Sequence, residues 1–205
     1  LSESRFVNTS RRDCLSLVST FAVGTSVASA VPARAASTAG GSRLNVKHFG
    51  ARGNRNDDDS AAFQAAVDAL PVHGGAIVIP ASDTPYLIGG IECGSKGVEW
   101  VGEGGPGQSA ALGHAATELL VKDGTVGIAF GDGTNSQFRG STLSNLRLLA
   151  QSYAARGGLL FRAISNATAN NVVCSNFSGP GCFGWKFDGT SGGGRYPSAT
   201  MYNDL

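Results

Sequence analysis

Few side chains in this 205-residue chain have types and spacing that could do chemistry. The most suggestive group is Trp185-Lys186-Phe187-Asp188. An aromatic ring beside a carboxylate can stack a sugar and grip its hydroxyls. Asp188 could act as an acid or base with Lys186 beside it, and Asp204 is a third candidate for such work. Arg147, Arg162 and Lys186 could face outward on successive rungs of a sheet and bind carboxylates, with Trp185 as a platform. The same residues also fit a plainer arrangement. In it Phe187 is core, Lys186 points to solvent, Asp188-Gly189 forms a turn and the arginines are solvated strand-face charges. Gly113-His114-Ala115 reads as a surface loop. Glu118, Asp123, Asp132, Asp188 and Asp204 are scattered, with no spacing that would gather them around calcium. No cofactor or metal site is read from these residues. Cys174 and Cys182 flank Ser175–Gly181, a loop that a disulfide could clip, which leaves Cys93 over. The spacing of the three fits no zinc motif.

The elements that must position these groups are short strands. Candidates are Val98–Val101, Glu118–Val121, Gly127–Phe130, Thr142–Leu149, Gly158–Phe161, Asn171–Cys174 and Gly184–Phe187, separated by Gly, Asn, Asp and Ser clusters. No convincing helical period follows Leu70. Parallel strands ordinarily need helical crossovers. A solenoid escapes that need, because each coil returns by turns and stacks on the one below. Internal echoes point the same way. Ser144-Asn145-Leu146 recurs as Asn170-Asn171-Val172, and 171 − 145 is 26. Leu159-Leu160-Phe161 recurs as Trp185-Lys186-Phe187 at the same offset. Tyr202-Asn203-Asp204-Leu205 comes at 203 − 171, or 32, which fits one coil plus an insertion at Gly192-Gly193-Gly194. The 30 glycines and a charged fraction of 15% suit tight turns and short strands. A net charge of +1 shows no global bias toward nucleic acid or anionic membrane.

Ahead of the strands lies Leu44–Ile88. Asn45–Ala51 reads as a short alternating strand, followed by a polar turn from Arg52 to Asn56. Asp57, Asp58 and Asp59 stand where a helix needs its N-cap, and carboxylates there suit the free N–H groups and the dipole. Phe63, Ala66, Val67 and Leu70 recur at helical spacing, and Pro71 stops the helix. Gly74-Gly75 then leads into the strand Ala76–Pro80. This stretch resembles the opening of the pectate-lyase-like superfamily, through Asn45-Val46, Phe49-Gly50-Ala51, Gly53, Asp58-Asp59-Ser60, Ala62–Val67, Gly74-Gly75, Ile77, Ile79 and Pro80. His48 stands where that family often has an acidic residue. The resemblance implies an all-β fold, a right-handed parallel β-helix with a short N-terminal capping helix (Asp58, Asp59, Phe63) that carries no chemistry. It also implies an exported carbohydrate-active protein that cleaves acidic, pectin-like polysaccharide by hydrolysis or β-elimination, with calcium as the metal if it is a lyase. The family's N-x-D, D-D, G-H-G and R-x-K signatures are absent or broken here. A non-catalytic adhesin, spike or polysaccharide-binding module is therefore the alternative. Because the last echo opens a coil at Leu205, the chain reads as the N-terminal part of a longer protein. Alone it is expected to be inactive.

Residues 1–35 read as an export signal, 36–43 as a linker and 44–205 as the β-helix portion. Ser10-Arg11-Arg12-Asp13-Cys14-Leu15 looks like a twin-arginine signal with Cys14 in place of the usual Phe. Ala33-Arg34-Ala35 supplies an A-x-A cleavage site. The run Cys14–Val31 is too rich in Ser, Thr and Gly for a stable membrane span. A bacterial protein destined for the periplasm or beyond is expected, with polysaccharide rather than nucleic acid as partner. N-terminal sequencing of the exported protein should begin near Ala36. Replacing Arg11 and Arg12 by Lys should block export, because the receptor reads guanidinium pairs rather than charge. A mature form that retains Cys14 would sink the assignment.

Overall fold

The computed structural model of the protein describes residues 43–104, 117–132, 140–162, 165–188 and 198–202. The expected signal segment and most of the linker lie outside them, as do His114, Asp204 and the Gly192–Gly194 insertion. Among the described residues there is one α-helix, α1 (Ser60–Ala69), and the rest of the regular structure is almost all strand. The strands are β1 (Arg43–Asn45), β2 (Gly75–Ile79), β3 (Tyr86–Ile88), β4 (Ile91–Glu92), β5 (Val98–Gly102) and β6 (Glu118–Val121). They continue with β7 (Val126–Phe130), β8 (Ser141–Ala150), β9 (Gly157–Arg162), β10 (Ser165–Ser175), β11 (Phe183–Asp188) and β12 (Ser198–Tyr202). Each expected strand after Ile88 lies within an observed one, extended by a residue or more at some ends.

The strands form two sheets, and the neighbours named in their registers all run parallel. One sheet has the order β1-β2-β5-β8-β10-β12, with β3-β6 joining it at β8. The other has the order β4-β7-β9-β11. The chain passes from one sheet to the other by turns, so four coils stack as a parallel β-solenoid. The repeat offset is the coil. Leu146 pairs with Val172, and Phe161 with Phe187, each 26 residues on. Thr168 pairs with Thr200 at the longer offset of 32.

Register decides what the interior is made of. Residues alternate faces along a strand, and in-register strands stack like positions on one another. One inward column is Ile77, Trp100, Leu143 and Ala169. Others are Tyr86, Leu119, Leu148 and Cys174, and Ile91, Ile128, Leu159 and Trp185. Phe130, Phe161 and Phe187 form a further column, their rings parallel with centroids 4.9 Å apart at both steps. That spacing is the inter-strand distance itself. β8 and β10 each bend where an asparagine adopts left-handed backbone: Asn145 at φ 56° and Asn171 at φ 54°. The Asn171 side-chain amide donates to Asn145 Oδ1 at 2.9 Å, so the bend is repeated and tied from coil to coil.

The helix closes the first coil. Phe63, Ala66, Val67 and Leu70 are all buried, as their spacing predicts. Phe63 meets Tyr86 edge-on at 5.6 Å and stacks on Trp100 at 6.0 Å. Leu70 is extended, as the residue before a proline prefers. The exposed helix C-terminus is capped from the next coil. Lys96 Nζ donates to the carbonyls of Val67, Asp68 and Leu70 at 2.8–2.9 Å, where a cation suits the dipole.

Two local expectations need correction. Asn45–Ala51 is not one strand. β1 ends at Asn45, whose Oδ1 accepts from Lys47 N at 2.8 Å and starts a 3-10 turn over Val46–Phe49. A local side-chain bond of this kind competes with a strand ladder. The three aspartates also do not cap the helix together. Asp58 Oδ1 accepts from Ser60 N at 3.0 Å. Asp59 is the N-cap residue, but its buried carboxylate turns away and accepts from Arg52 N at 2.6 Å and Gly53 N at 2.9 Å. It fastens the Arg52–Gly53 turn against the coil. Gly53 is at φ 62°, and a Cβ there would stand 2.8 Å from the Tyr86 ring.

These contacts rank three substitutions. Phe63→Ala should cost roughly 3–5 kcal/mol, as for other buried aromatics. Asp59→Ala should cost about 2–3 kcal/mol, because two backbone donors lose a charged acceptor. Asp58→Ala, which removes an exposed cap, should cost about 1 kcal/mol. Urea denaturation of the three variants checks the order. A larger loss for Asp58→Ala than for Asp59→Ala would contradict the division of labour described here.

Candidate functional site

The outer face of β4-β7-β9-β11 carries three of the charged groups that the sequence singles out, Arg162, Lys186 and Asp188. Glu92 pairs in register with Ala129, Ala129 with Leu160, and Leu160 with Lys186. Two residues further along the strands, Arg162 pairs with Asp188. Lys186 and Asp188 are two apart and so share a face, and Lys186 is exposed with its Nζ 5.9 Å over the Phe183 ring. Arg162 reaches across β7 to Glu92. Its two terminal nitrogens meet the two carboxylate oxygens at 3.0 and 3.3 Å, in a bidentate fork. Glu92 is tied in turn to the capping helix: its N–H donates to Gln64 Oε1 at 2.9 Å and its carbonyl accepts from Gln64 Nε2 at 3.1 Å.

The structure does not bring Trp185 to this face. Its ring lies in the interior column, stacked on Phe161 at 6.1 Å and 14°. The aromatic beside the carboxylate in sequence is thus across the strand from it in space, as period-two alternation requires. Arg147 is also elsewhere, on the other sheet. There its Nη1 donates to Glu118 Oε1 at 3.3 Å, and its Nε to Ser175 Oγ at 3.3 Å. Arg147, Arg162 and Lys186 therefore do not form one row of cations. Asp204 lies outside the described residues.

Ionisation follows the same local partners. Asp57 is held below the ordinary aspartate value by hydrogen bonds from Asn54 and Arg52. Partial burial works to raise Asp58, but bonds from Lys122 and Ser60 outweigh it and leave the group lowered. Lys122 Nζ meets Asp58 Oδ2 at 2.6 Å and joins the helix start to the second coil. Burial pushes the thiols of Cys93 and Cys174 up to about 12, so both stay protonated and unreactive at neutral pH. Cys174 and Cys182 are not bridged, contrary to the expected clip. Cys174 is in an inward column, its Sγ 2.9 Å from where a Cβ on Gly158 would stand, while Cys182 Sγ faces Tyr153 O at 3.7 Å. The two thiols are turned to different neighbours. Among the described residues, no set of three or more His, Cys, Asp or Glu side chains converges as a metal site.

No protein-family profile and no curated protein matches this chain. Solved structures do. ORF18 of Geobacillus virus E2 is similar with a TM-score of 0.52 and 19% identity, over 63% of this chain and 25% of that one. Tailspike protein 3 of bacteriophage CBA120 gives 0.48 and 16%, over 64% of this chain and 20% of that one. A candidate glycosyl hydrolase from Parabacteroides merdae gives 0.35 and 16%, over 68% and 76%. The likeness to ORF18 is one of fold, and this chain spans a quarter of that protein's length.

Sequence reasoning passes over the pairing of Glu118 with Arg147, because the two are joined only by coil stacking. Glu118 is 6% exposed, so removing its partner leaves a nearly buried charge. Arg147→Met should cost roughly 1–3 kcal/mol, the desolvation of an unmatched buried group. Adding Glu118→Gln should recover most of that loss. Chemical denaturation of the two single variants and the double variant measures the coupling. Strict additivity would show that the contact contributes nothing.

Proposed function

We propose that this chain is part of an exported, polysaccharide-engaging β-helix of the pectate-lyase-like kind. In this reading its described coils grip an acidic glycan and do not cut it. The observation that carries the reading is the outer face of β4-β7-β9-β11. Its rungs are stacked at about 4.8 Å, so a polymer laid along the solenoid meets several coils. Lys186 is exposed there and forms no ion pair among the described residues. Arg162 already holds a carboxylate in a fork, the geometry with which it would take a uronate in place of Glu92. The opening-segment resemblance supports a carbohydrate partner, and the twin-arginine-like segment supports export.

Cleavage by hydrolysis or β-elimination falls in this reading to other parts of the full protein. Glycoside hydrolysis needs a proton donor with a raised pKa and a second carboxylate across the bond. Here Glu92 and Glu118 are each held by an arginine, Asp58 by a lysine and Asp59 by backbone N–H groups, while Asp188 stands in register with Arg162 rather than opposite a second carboxylate. The same observation favours the second reading, a non-catalytic spike or binding module.

The purified chain should be retained on immobilised polygalacturonate at low salt and released as salt rises. Lys186→Gln should weaken that retention while leaving the melting temperature unchanged. Retention no greater than on a neutral polymer, or unaffected by Lys186→Gln, would overturn the proposal. Release of reducing ends or of ultraviolet-absorbing unsaturated uronides would show that these coils do cut.

A further inference from the structure

A cavity of about 750 Å³ lies where the turn after β8 meets the turn after β10. Its size is that of a small-ligand pocket. Gln151 and Tyr153 come from the first turn, and Asn176, Phe177 and Ser178 from the second. None of the described residues that line it is charged. It is separate from the Lys186–Arg162 face, and neither the strand pattern nor the resemblance points to it.

The walls are held by contacts that leave the polar groups free. Ser152 Oγ donates to Asp123 at 2.8 Å and accepts from Ala154 N at 3.1 Å, which fixes the backbone on both sides of Tyr153. The Tyr153 carbonyl also packs against the second turn, 2.1 Å from where a Cβ on Gly179 would be. Phe177 leans on the core beside Gly158. Asn176 takes left-handed backbone at φ 67°, which starts the second turn. Yet Tyr153 is 76% exposed, an aromatic residue held out in water on an anchored backbone. The side chains of Gln151, Asn176 and Ser178 make no hydrogen bond to another described residue, so their donors and acceptors remain available.

The lining selects among ligand classes. An anion would be desolvated with no counter-charge, which is costly. A lipid tail would strand two amides and a hydroxyl. A neutral pyranose fits both demands, with its C–H face on an aromatic ring and its hydroxyls on amides and a serine. We propose that this cavity binds a neutral hexose unit of a polysaccharide. Tyr153 stacks the ring, and Gln151, Asn176 and Ser178 hydrogen-bond its hydroxyls. The choice of a sugar rests on the carbohydrate reading above, while the preference for an uncharged one rests on the lining.

The test is calorimetric titration of the purified 205-residue chain with short gluco-, manno- and galacto-oligosaccharides, paired with saturation-transfer NMR. At least one series should bind, with an affinity that does not change with salt. Tyr153→Ala should weaken it about tenfold, the loss of one stacking contact. Tyr153→Phe should keep it, and Lys186→Gln should leave it unchanged. Tyr153 is mostly solvent-exposed, so circular dichroism should show both variants folded; if Tyr153→Ala unfolds, Gln151→Ala replaces it and should weaken binding severalfold. Absence of binding to all three series, salt-sensitive binding, or full affinity in the alanine variant would overturn the proposal. Neutral binding without uronate retention removes the acidic-glycan reading alone. Uronate retention without neutral binding removes this one alone.

Discussion

In-register pairing between successive coils is the interaction on which everything else here depends. A coil has no partner except the coils above and below it, so each backbone hydrogen bond in the ladder is also a packing instruction. Once Leu146 pairs with Val172 and Phe161 with Phe187, the inward columns follow without further choice. A slip of one residue would turn every interior side chain outward. The parallel rings of Phe130, Phe161 and Phe187 and the Asn145–Asn171 contact both stand at points where a slip would break a like-on-like match. They therefore hold register as well as adding local stability.

Among the described residues only β1 lies below the first coil, and α1 packs against its interior. Its apolar stripe supplies the contacts that a preceding coil would supply, with Phe63 between Tyr86 and Trp100. A helix packed across strand ends leaves its own termini to be satisfied. Later coils do much of this: Lys96 takes the C-terminal carbonyls, and Lys122 holds Asp58. The cap is thus joined to the solenoid by charge-assisted bonds as well as by apolar contact.

Coil stacking also disposes of the charges. Glu92 with Arg162 and Glu118 with Arg147 are ion pairs between coils, separated by 70 and 29 residues in sequence. Such pairs occupy carboxylates that would otherwise be open to act as acid or base. What remains open is of two kinds: the exposed Lys186 on one sheet, and a cavity at the turns whose described lining is uncharged.

The architecture is legible in one dimension. Period-two strands, asparagine bends and a 26-residue echo express constraints that are local or that repeat at a constant interval, and these survive in one dimension. Phe63, Ala66, Val67 and Leu70 were legible for the same reason, since helical spacing is a property of the chain alone. The tertiary structure decided which groups meet. Trp185 and Asp188 are near neighbours in sequence but on opposite faces, because a strand alternates. Arg162 meets Glu92, 70 residues away in sequence, only because coil stacking brings their strands onto one sheet. Asp59 looks like its two neighbours in sequence, and only burial directs its carboxylate to Arg52 and Gly53. The cavity beside Tyr153 has no sequence signature, because its walls are two turns that come together only when one coil stacks on the next.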